Sequence, residues 1–140
     1  MPTKKADAVW KGDLKTGNGT MKLESGSYEG KFSFATRFED KSGSNPEELI
    51  GAAHAGCFSM AFSNELDKAG FTPNSVETHA EVTIDGGAGA ITTIKLTAKG
   101  NVPNIDEDKF QEIAEAAKNG CPVSKALAGV DIQLDATLTN

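Results

Sequence analysis

The chain has 140 residues, of which 38% are hydrophobic, and its formal net charge at pH 7 is −6. This length predicts a single domain over residues 1–140. Because phosphate contacts need clustered cations, the negative charge argues against nucleic acids and anionic membranes as partners. The sequence has no apolar run long enough to cross a bilayer and no apolar leader, so a soluble, cytoplasmic protein is expected.

The chain contains two cysteines, Cys57 and Cys121, and two histidines. Their spacing matches no zinc-binding pattern, so we expect no structural metal. A permanent disulfide is also not expected in a reducing cytoplasm. The cysteines are therefore expected to be either reactive or simply buried.

The first third of the chain alternates apolar and polar residues, which predicts a meander of three β-strands separated by turns. The expected strands cover residues 6–14, 20–25 and 31–39. In the third strand, Phe32, Phe34 and Phe38 should face the core and Arg37 the opposite side. No nucleotide-binding or hydrolase motif is present.

A long helix is predicted between Asn45 and Gly70. Asn45 suits the N-cap, Pro46 the first helical position and Gly70 the position after the helix. Residues 51–56 are almost all small, and each interior glycine costs a helix about 1 kcal/mol relative to alanine. Close approach of another backbone would offset this cost, and an ordinary core helix with a small-residue face is the alternative.

The last part of the chain predicts a hairpin of strands at 76–85 and 92–102, a helix that ends at Gly120, a short helix and a final strand at 130–138. Cys121 should be the N-cap of the short helix, where the positive end of the helix dipole favours a thiolate. His79 should lie on a solvent-facing side. The element order predicts an α+β fold with antiparallel sheets and a long central helix.

Three motifs together resemble the OsmC/Ohr family of thiol-dependent peroxidases. They are TRFE at 36–39, NPEELIGAAHAGCFSM at 45–60 and GCPVS at 120–124, and they are more similar to the OsmC branch than to the Ohr branch. The resemblance implies an intertwined homodimer with two active sites at the subunit interface. It implies that Cys57 is the peroxidatic cysteine, that Cys121 is the resolving cysteine, and that Arg37 and Glu47 activate the thiol and orient the peroxide.

The implied reaction begins with attack of the Cys57 thiolate on an organic hydroperoxide, which releases an alcohol and leaves a sulfenic acid. Condensation with Cys121 gives a disulfide, which an external dithiol, a lipoyl dithiol by analogy with the family, then reduces. An arginine about 4 Å from the sulfur supplies up to roughly 4 kcal/mol at an effective dielectric near 20, and Glu47 would orient Arg37. No metal, flavin or haem cofactor is needed, and the implied role is defence against oxidative and osmotic stress.

Glu47 and Cys57 are ten residues apart, which is roughly 15 Å along one straight helix. Either the helix breaks near Gly51, or Glu47 acts in a site that contains Cys57 of the partner subunit, and we favour the second.

Two other hypotheses remain open. His54, three residues before Cys57, suggests a Cys–His acyl-transfer enzyme, and a non-catalytic dimeric thiol-sensing or binding module would have inert cysteines.

Overall fold

The computed structural model describes residues 1–140, which form six strands and four helices. The α+β class predicted from the sequence is confirmed. The chain falls into two compact units, Met1–Leu49 and Ile50–Asn140. The single domain expected for the whole chain stays a prediction. None of the helices combines the length and the apolar character needed to cross a membrane.

The first unit contains a three-stranded antiparallel sheet in the order β1-β2-β3. Its strands are β1 (Ala6–Lys11), β2 (Asn18–Leu23) and β3 (Glu29–Phe32). The rings of Trp10 and Phe32 pack with their centroids 5.3 Å apart above Gly19. A Cβ atom at Gly19 would come within 2.8 Å of both rings. Glycine at this position therefore lets the two aromatic side chains cover the central strand.

The third predicted strand is wrong beyond Phe32, because the chain turns into the short helix α1 (Phe34–Phe38). Ser33 caps this helix: its Oγ accepts from the Thr36 N–H at 3.3 Å, and its own N–H donates to Thr36 Oγ1 at 2.9 Å. Phe34 and Phe38 consequently lie one helical turn apart, with ring centroids 5.0 Å apart, and Phe38 is 39% exposed. The capping box outweighs the apolar alternation from which the strand was predicted.

The long helix α2 (Pro46–Lys68) begins in the first unit and continues through the second without a break. Asn45 Oδ1 accepts from the Glu48 N–H at 2.8 Å, which is the expected N-cap contact. Gly70 has φ +91°, the left-handed conformation that favours glycine after a helix. Both predicted ends of the helix are therefore confirmed.

The second unit contains a mixed sheet in the order β4-β5-β6. The strands β4 (Ser75–Asp85) and β5 (Ala90–Asn101) form the predicted antiparallel hairpin, and His79 is exposed. The strand β6 (Asp131–Leu138) pairs with β5 in parallel, whereas antiparallel sheets were expected. The helices α3 (Glu107–Gly120) and α4 (Pro122–Ala126) connect these two strands. Such a helical crossover returns the chain to the same end of the sheet, which makes the pairing parallel.

The core of the second unit is built around aromatic side chains of α2 and α3. Phe58, Phe62 and Phe110 are fully buried, with ring centroids 5.6 Å apart for Phe58 and Phe62 and 5.2 Å apart for Phe62 and Phe110. Phe110 also lies over Gly100 of β5, where a Cβ would meet the ring at 2.7 Å. These contacts fix α2 and α3 against the same sheet. The remaining buried apolar residues are Leu66, Ile94, Leu96, Ala98, Val102, Ile105, Ile113, Ala114, Ala117 and Ala136.

The two interior glycines of α2 have different surroundings. A Cβ on Gly51 would lie 3.3 Å from Val82 Cγ2 and 3.6 Å from the Ala80 Cβ, so this glycine packs closely on β4. A Cβ on Gly56 would meet no atom within 4 Å, and Gly56 is exposed. Packing inside the unit thus explains the small residue at Gly51 and leaves the one at Gly56 unexplained.

Candidate active site

The two cysteines of the chain meet in the second unit, although they are 64 positions apart. Cys57 lies in the middle of α2 and Cys121 immediately before α4, and their sulfur atoms are in hydrogen-bond contact, 2.8 Å apart. Both are free thiols. Cys121 is fully buried, whereas Cys57 remains partly exposed. The fold therefore leaves Cys57 as the sulfur that solvent reaches.

The start of α4 places hydrogen-bond donors around this sulfur pair. Cys121 is the N-cap and Pro122 occupies the first helical turn, as predicted. The backbone N–H of Val123 acts on the pKa of both thiols, and the N–H and hydroxyl of Ser124 act on that of Cys121. These N–H groups are free because the first turn of a helix has no internal partners for them.

The two thiols act on each other, and their pKa values move in opposite directions. Burial raises the pKa of Cys57, and the hydrogen bond with Cys121 adds to this effect. Burial also acts to raise the pKa of Cys121, but the hydrogen bonds from Cys57, Ser124 and Val123 outweigh it and lower that pKa. No cation is among the groups that act on either sulfur. Within this unit, Cys121 is therefore the thiol that ionises more easily.

An open cavity of about 520 Å³ lies beside Cys57, between α2 and the end of α3. Most of its wall is apolar, and an ion pair between Lys68 and Glu65, with Nζ and Oε1 3.2 Å apart, lies at its rim. The cavity gives a small molecule access to the exposed thiol. It is lined by Cys57, Met60, Ala61, Asn64, Glu65, Lys68, Ala116, Ala117, Gly120 and Pro122.

His54 is fully buried one turn before Cys57 on α2. Its Nε2 lies 2.7 Å from Ser124 Oγ, and its Nδ1 has no hydrogen-bond partner. Burial lowers the pKa of His54, which keeps the ring neutral. His54 therefore contacts the hydroxyl beside Cys121 and has no carboxylate to orient it.

In the first unit, Arg37 at the end of α1 forms an ion pair with Glu47 in the first turn of α2. Arg37 Nη2 and Nε lie 2.8 and 2.9 Å from Glu47 Oε1, and Nε lies 3.2 Å from Oε2. The Glu47 side chain is only 9% exposed and that of Arg37 is 34% exposed. The guanidinium also lies 5.3 Å from the centroid of the Phe38 ring. A buried carboxylate thus holds a partly exposed cation in a fixed orientation.

A smaller cavity of about 260 Å³ opens beside Arg37 within the first unit. Its walls are almost entirely apolar and aromatic, so it suits a hydrocarbon group next to a cation. It is lined by Trp10, Leu14, Phe32, Ser33, Phe34, Arg37 and Phe38.

The four residues expected in the site thus form two pairs, Arg37 with Glu47 and Cys57 with Cys121. Sequence reasoning did not identify Ser124. Its only sequence signal is its place in the first turn after Cys121 and Pro122. No three His, Cys, Asp or Glu side chains cluster so as to hold a metal ion.

Comparison with known proteins identifies the family. The model of the OsmC-like protein family matches residues 39–135. Peroxiredoxin OsmC from Escherichia coli K12 is 53% identical over 135 residues, which cover 94% of each chain. Organic hydroperoxide resistance protein OhrB from Bacillus subtilis is 33% identical over 69% of this chain and 72% of its own length. This chain belongs to the OsmC-like family, and its relatives support a peroxidase role.

The fold agrees with this assignment. The crystal structure of an OsmC-like protein from Mycoplasma pneumoniae matches with a TM-score of 0.75 over 99% of both chains, at 16% sequence identity. At that identity the match establishes the shared fold alone.

Proposed function

We propose that this chain is a cysteine-based peroxidase that reduces organic hydroperoxides to alcohols in defence against oxidative and osmotic stress. The observation that carries the proposal is the 2.8 Å contact between an accessible and a buried thiol at a cavity. Cys57, which lines the cavity, is the peroxidatic cysteine, and Cys121 is the resolving cysteine. The name of the E. coli relative, a peroxiredoxin, supports this class of reaction.

The reaction has two steps in this chain. The Cys57 thiolate attacks the terminal oxygen of the hydroperoxide, the O–O bond breaks, and the alkoxide takes up a proton and leaves as an alcohol. Cys121 then attacks the resulting Cys57 sulfenic acid, forming the S–S bond and releasing water. Two electrons from an external dithiol, of the lipoyl class, reduce the disulfide and restore both thiols.

Cys57 needs a cation to become the nucleophile, because burial raises its pKa and no cation acts on it. Arg37, oriented by Glu47, is the cation we assign to this role. Since α2 is continuous, the ten residues between Glu47 and Cys57 correspond to roughly 15 Å along its axis. We therefore assign the Arg37–Glu47 pair to a site that contains Cys57 of the partner subunit.

A homodimer is the assembly that this arrangement requires. The exposed side of α2 supports one, because it presents Ala52, Ala53 and Gly56 followed by Met60, which is 78% exposed. Small residues let a second backbone approach closely, and an exposed methionine supplies adaptable apolar contact. The apolar cavity beside Arg37 then offers a place for the hydrocarbon part of an organic hydroperoxide. We propose the cytoplasm as the location.

The decisive experiment measures consumption of cumene hydroperoxide with dihydrolipoamide as the reductant. We expect sustained turnover by the wild-type chain and none by Cys57→Ser. When the dithiol is left out, Cys121→Ser should consume at most one equivalent per subunit and accumulate as the Cys57 sulfenic acid. Mass spectrometry detects that acid as a dimedone adduct. Undiminished turnover by Cys57→Ser would disprove the assignment of the nucleophile.

The same assay separates the two other hypotheses. A thiol-sensing module would oxidise once and show no sustained turnover with the dithiol. An acyl-transfer enzyme would form a thioester at Cys57 with an activated ester, and the His54 Nε2 contact to Ser124 rather than to Cys57 gives this hypothesis no support.

A further inference from the structure

His54 and Ser124 form a buried polar pair for which the reaction proposed above has no role. His54 is fully buried and Ser124 is 7% exposed, and their contact of 2.7 Å joins α2 to α4. An apolar pair of the same size would fill this space without any desolvation cost. Ser124 lies in the first turn of α4, for which Cys121 is the N-cap residue, and its hydroxyl acts to lower the pKa of Cys121, which suggests a reason for the polar pair.

The unpartnered His54 Nδ1 determines the direction of the hydrogen bonds. If Nδ1 carried the proton of the neutral ring, a buried N–H donor would have no acceptor, which native structures rarely tolerate. The proton therefore belongs on Nε2, which donates to Ser124 Oγ. The Ser124 hydroxyl hydrogen is then free to point to the Cys121 sulfur, in the direction that lowers the pKa of Cys121.

We propose that His54 is a positioning residue for disulfide formation: through Ser124 it directs a hydrogen bond to Cys121 and favours the thiolate that attacks oxidised Cys57. The proposal rests on the peroxidase function proposed above, and it assigns roles to two residues outside the cysteine and Arg37–Glu47 pairs. The other groups that act on the Cys121 sulfur are Cys57 on α2 and the N–H groups of Val123 and Ser124 on α4. None of these groups carries a permanent charge.

The balance of the assisted step is simple. The Cys121 thiolate supplies the electron pair of the new S–S bond, and the S–O bond of the Cys57 sulfenic acid breaks. The departing hydroxide combines with one proton from solvent to give water. The Cys57 sulfur is reduced and the Cys121 sulfur is oxidised, and the hydroperoxide has already supplied the oxidising equivalent. Ser124 and His54 keep their protons throughout.

The first test measures the pKa of Cys121 directly, in a Cys57→Ala background, from the thiolate absorbance near 240 nm. We expect Ser124→Ala and His54→Leu each to raise this pKa by about one unit, since a hydrogen bond to the charged form is lost. His54→Gln retains an N–H near the Nε2 position and should restore most of the shift. An unchanged pKa in Ser124→Ala would overturn the proposal, and so would a lowered one, which would mean that the Cys121 thiol donates to Ser124.

The second test uses the full chain with both cysteines and follows oxidation by cumene hydroperoxide in a rapid-mixing experiment. In Ser124→Ala we expect sulfenic acid formation at the wild-type rate and disulfide closure about 10-fold slower near neutral pH. The difference should vanish at alkaline pH, where Cys121 is ionised in both proteins. A closure rate that is unaffected, or equally slow at every pH, would overturn the proposal.

Failure of the proposed function would give a different result. If the wild-type chain formed no sulfenic acid with any hydroperoxide, the peroxidase assignment would fall. The titration of Cys121 uses no peroxide and would still decide whether His54 and Ser124 act on this sulfur. Ser124→Ala removes a single oxygen atom and preserves the helix, so it serves even if His54→Leu does not fold.

Discussion

Glu47 holds Arg37 through both of its carboxylate oxygens, with N···O distances of 2.8 to 3.2 Å. The Glu47 side chain is nearly buried, whereas about one third of the Arg37 side chain is exposed to solvent. The remaining N–H donors of Arg37 have no partner within the first unit. The contact with the Glu47 carboxylate fixes their orientation. An oxygen atom that gains negative charge in a reaction would find these donors already aligned.

Arg37→Lys should lower kcat/KM for an organic hydroperoxide by about 100- to 1,000-fold, because lysine cannot make the two-pronged contact with Glu47 and still offer aligned donors. Glu47→Gln, which keeps the side-chain shape but removes the charge, should cost less, about 10-fold. Peroxide consumption with a dithiol measures both. Full activity in Arg37→Lys would contradict the role proposed for the arginine.

The buried His54 predicts a pH dependence of stability. Burial lowers the pKa of His54 in the native chain below the ordinary value of 6.5, which applies to the unfolded chain. At a pH between the native and the unfolded pKa, the unfolded chain therefore binds a proton that the native chain does not. Stability should therefore be constant with respect to this group above pH 6.5 and should fall as the pH drops below 6.5, by at most about 1.4 kcal/mol per pH unit.

Urea denaturation of the wild type and of His54→Gln, at one protein concentration, measures this contribution. As the pH falls from about 7.5 to about 5.5, on either side of the usual histidine pKa, the wild type should lose unfolding free energy relative to His54→Gln. A difference that is independent of pH would show that His54 is protonated equally in the native and unfolded chains.

The contact between Gly100 and Phe110 predicts a steric effect. A Cβ at Gly100 would lie 2.7 Å from the Phe110 ring, which is fully buried. Gly100→Ala should therefore destabilise the chain by about 1–3 kcal/mol. Gly86→Ala is the matched control, since a Cβ there meets nothing within 4 Å. Equal unfolding midpoints for the two variants would contradict the prediction.

Gly56 tests whether a second subunit packs against the exposed side of α2. In an isolated chain, Gly56→Ala should stabilise α2 by up to about 1 kcal/mol, because nothing lies near the added methyl group. In the proposed dimer, larger residues such as leucine should block the approaching subunit. We expect Gly56→Leu to increase the dissociation constant of the dimer by at least about 10-fold without unfolding the chain.

Analytical ultracentrifugation over a range of concentrations measures this constant, and circular dichroism shows whether α2 persists. Gly86→Leu, at another open position outside the helices, should leave the association unchanged. If the wild-type chain sediments as a monomer at every concentration, the assignment of Arg37 to the partner's site is wrong.

Local signals allowed much of the fold to be predicted from the sequence. The ends of α2 were predictable because Asn45, Pro46 and Gly70 act through contacts within a few residues. The same kind of signal was overlooked at Ser33 and Thr36, whose capping box turns a strand-like pattern into α1. The parallel pairing of β5 with β6 was not predictable from alternation, which is the same in either direction.

The site was predictable only as far as its motifs resembled a known family. Both cysteines and the Arg37–Glu47 pair were named on that basis, and the structure shows each pair in contact. The contact between His54 and Ser124 joins residues 70 positions apart, and nothing in either local sequence indicates it. Such a contact arises from tertiary packing of α2 against α4.

The positions of the two cysteines give oxidation a mechanical consequence. Cys57 and Cys121 lie at the two ends of the segment that contains β4, β5 and α3, and thus most of the apolar core. A bond between their sulfurs would close a loop of more than 60 residues and would disfavour unfolding by about 4 kcal/mol in the chain-entropy model. The oxidised protein would then resist heat and proteases better than the reduced one, so its melting temperature would report how far the hydroperoxide load exceeds the supply of reductant.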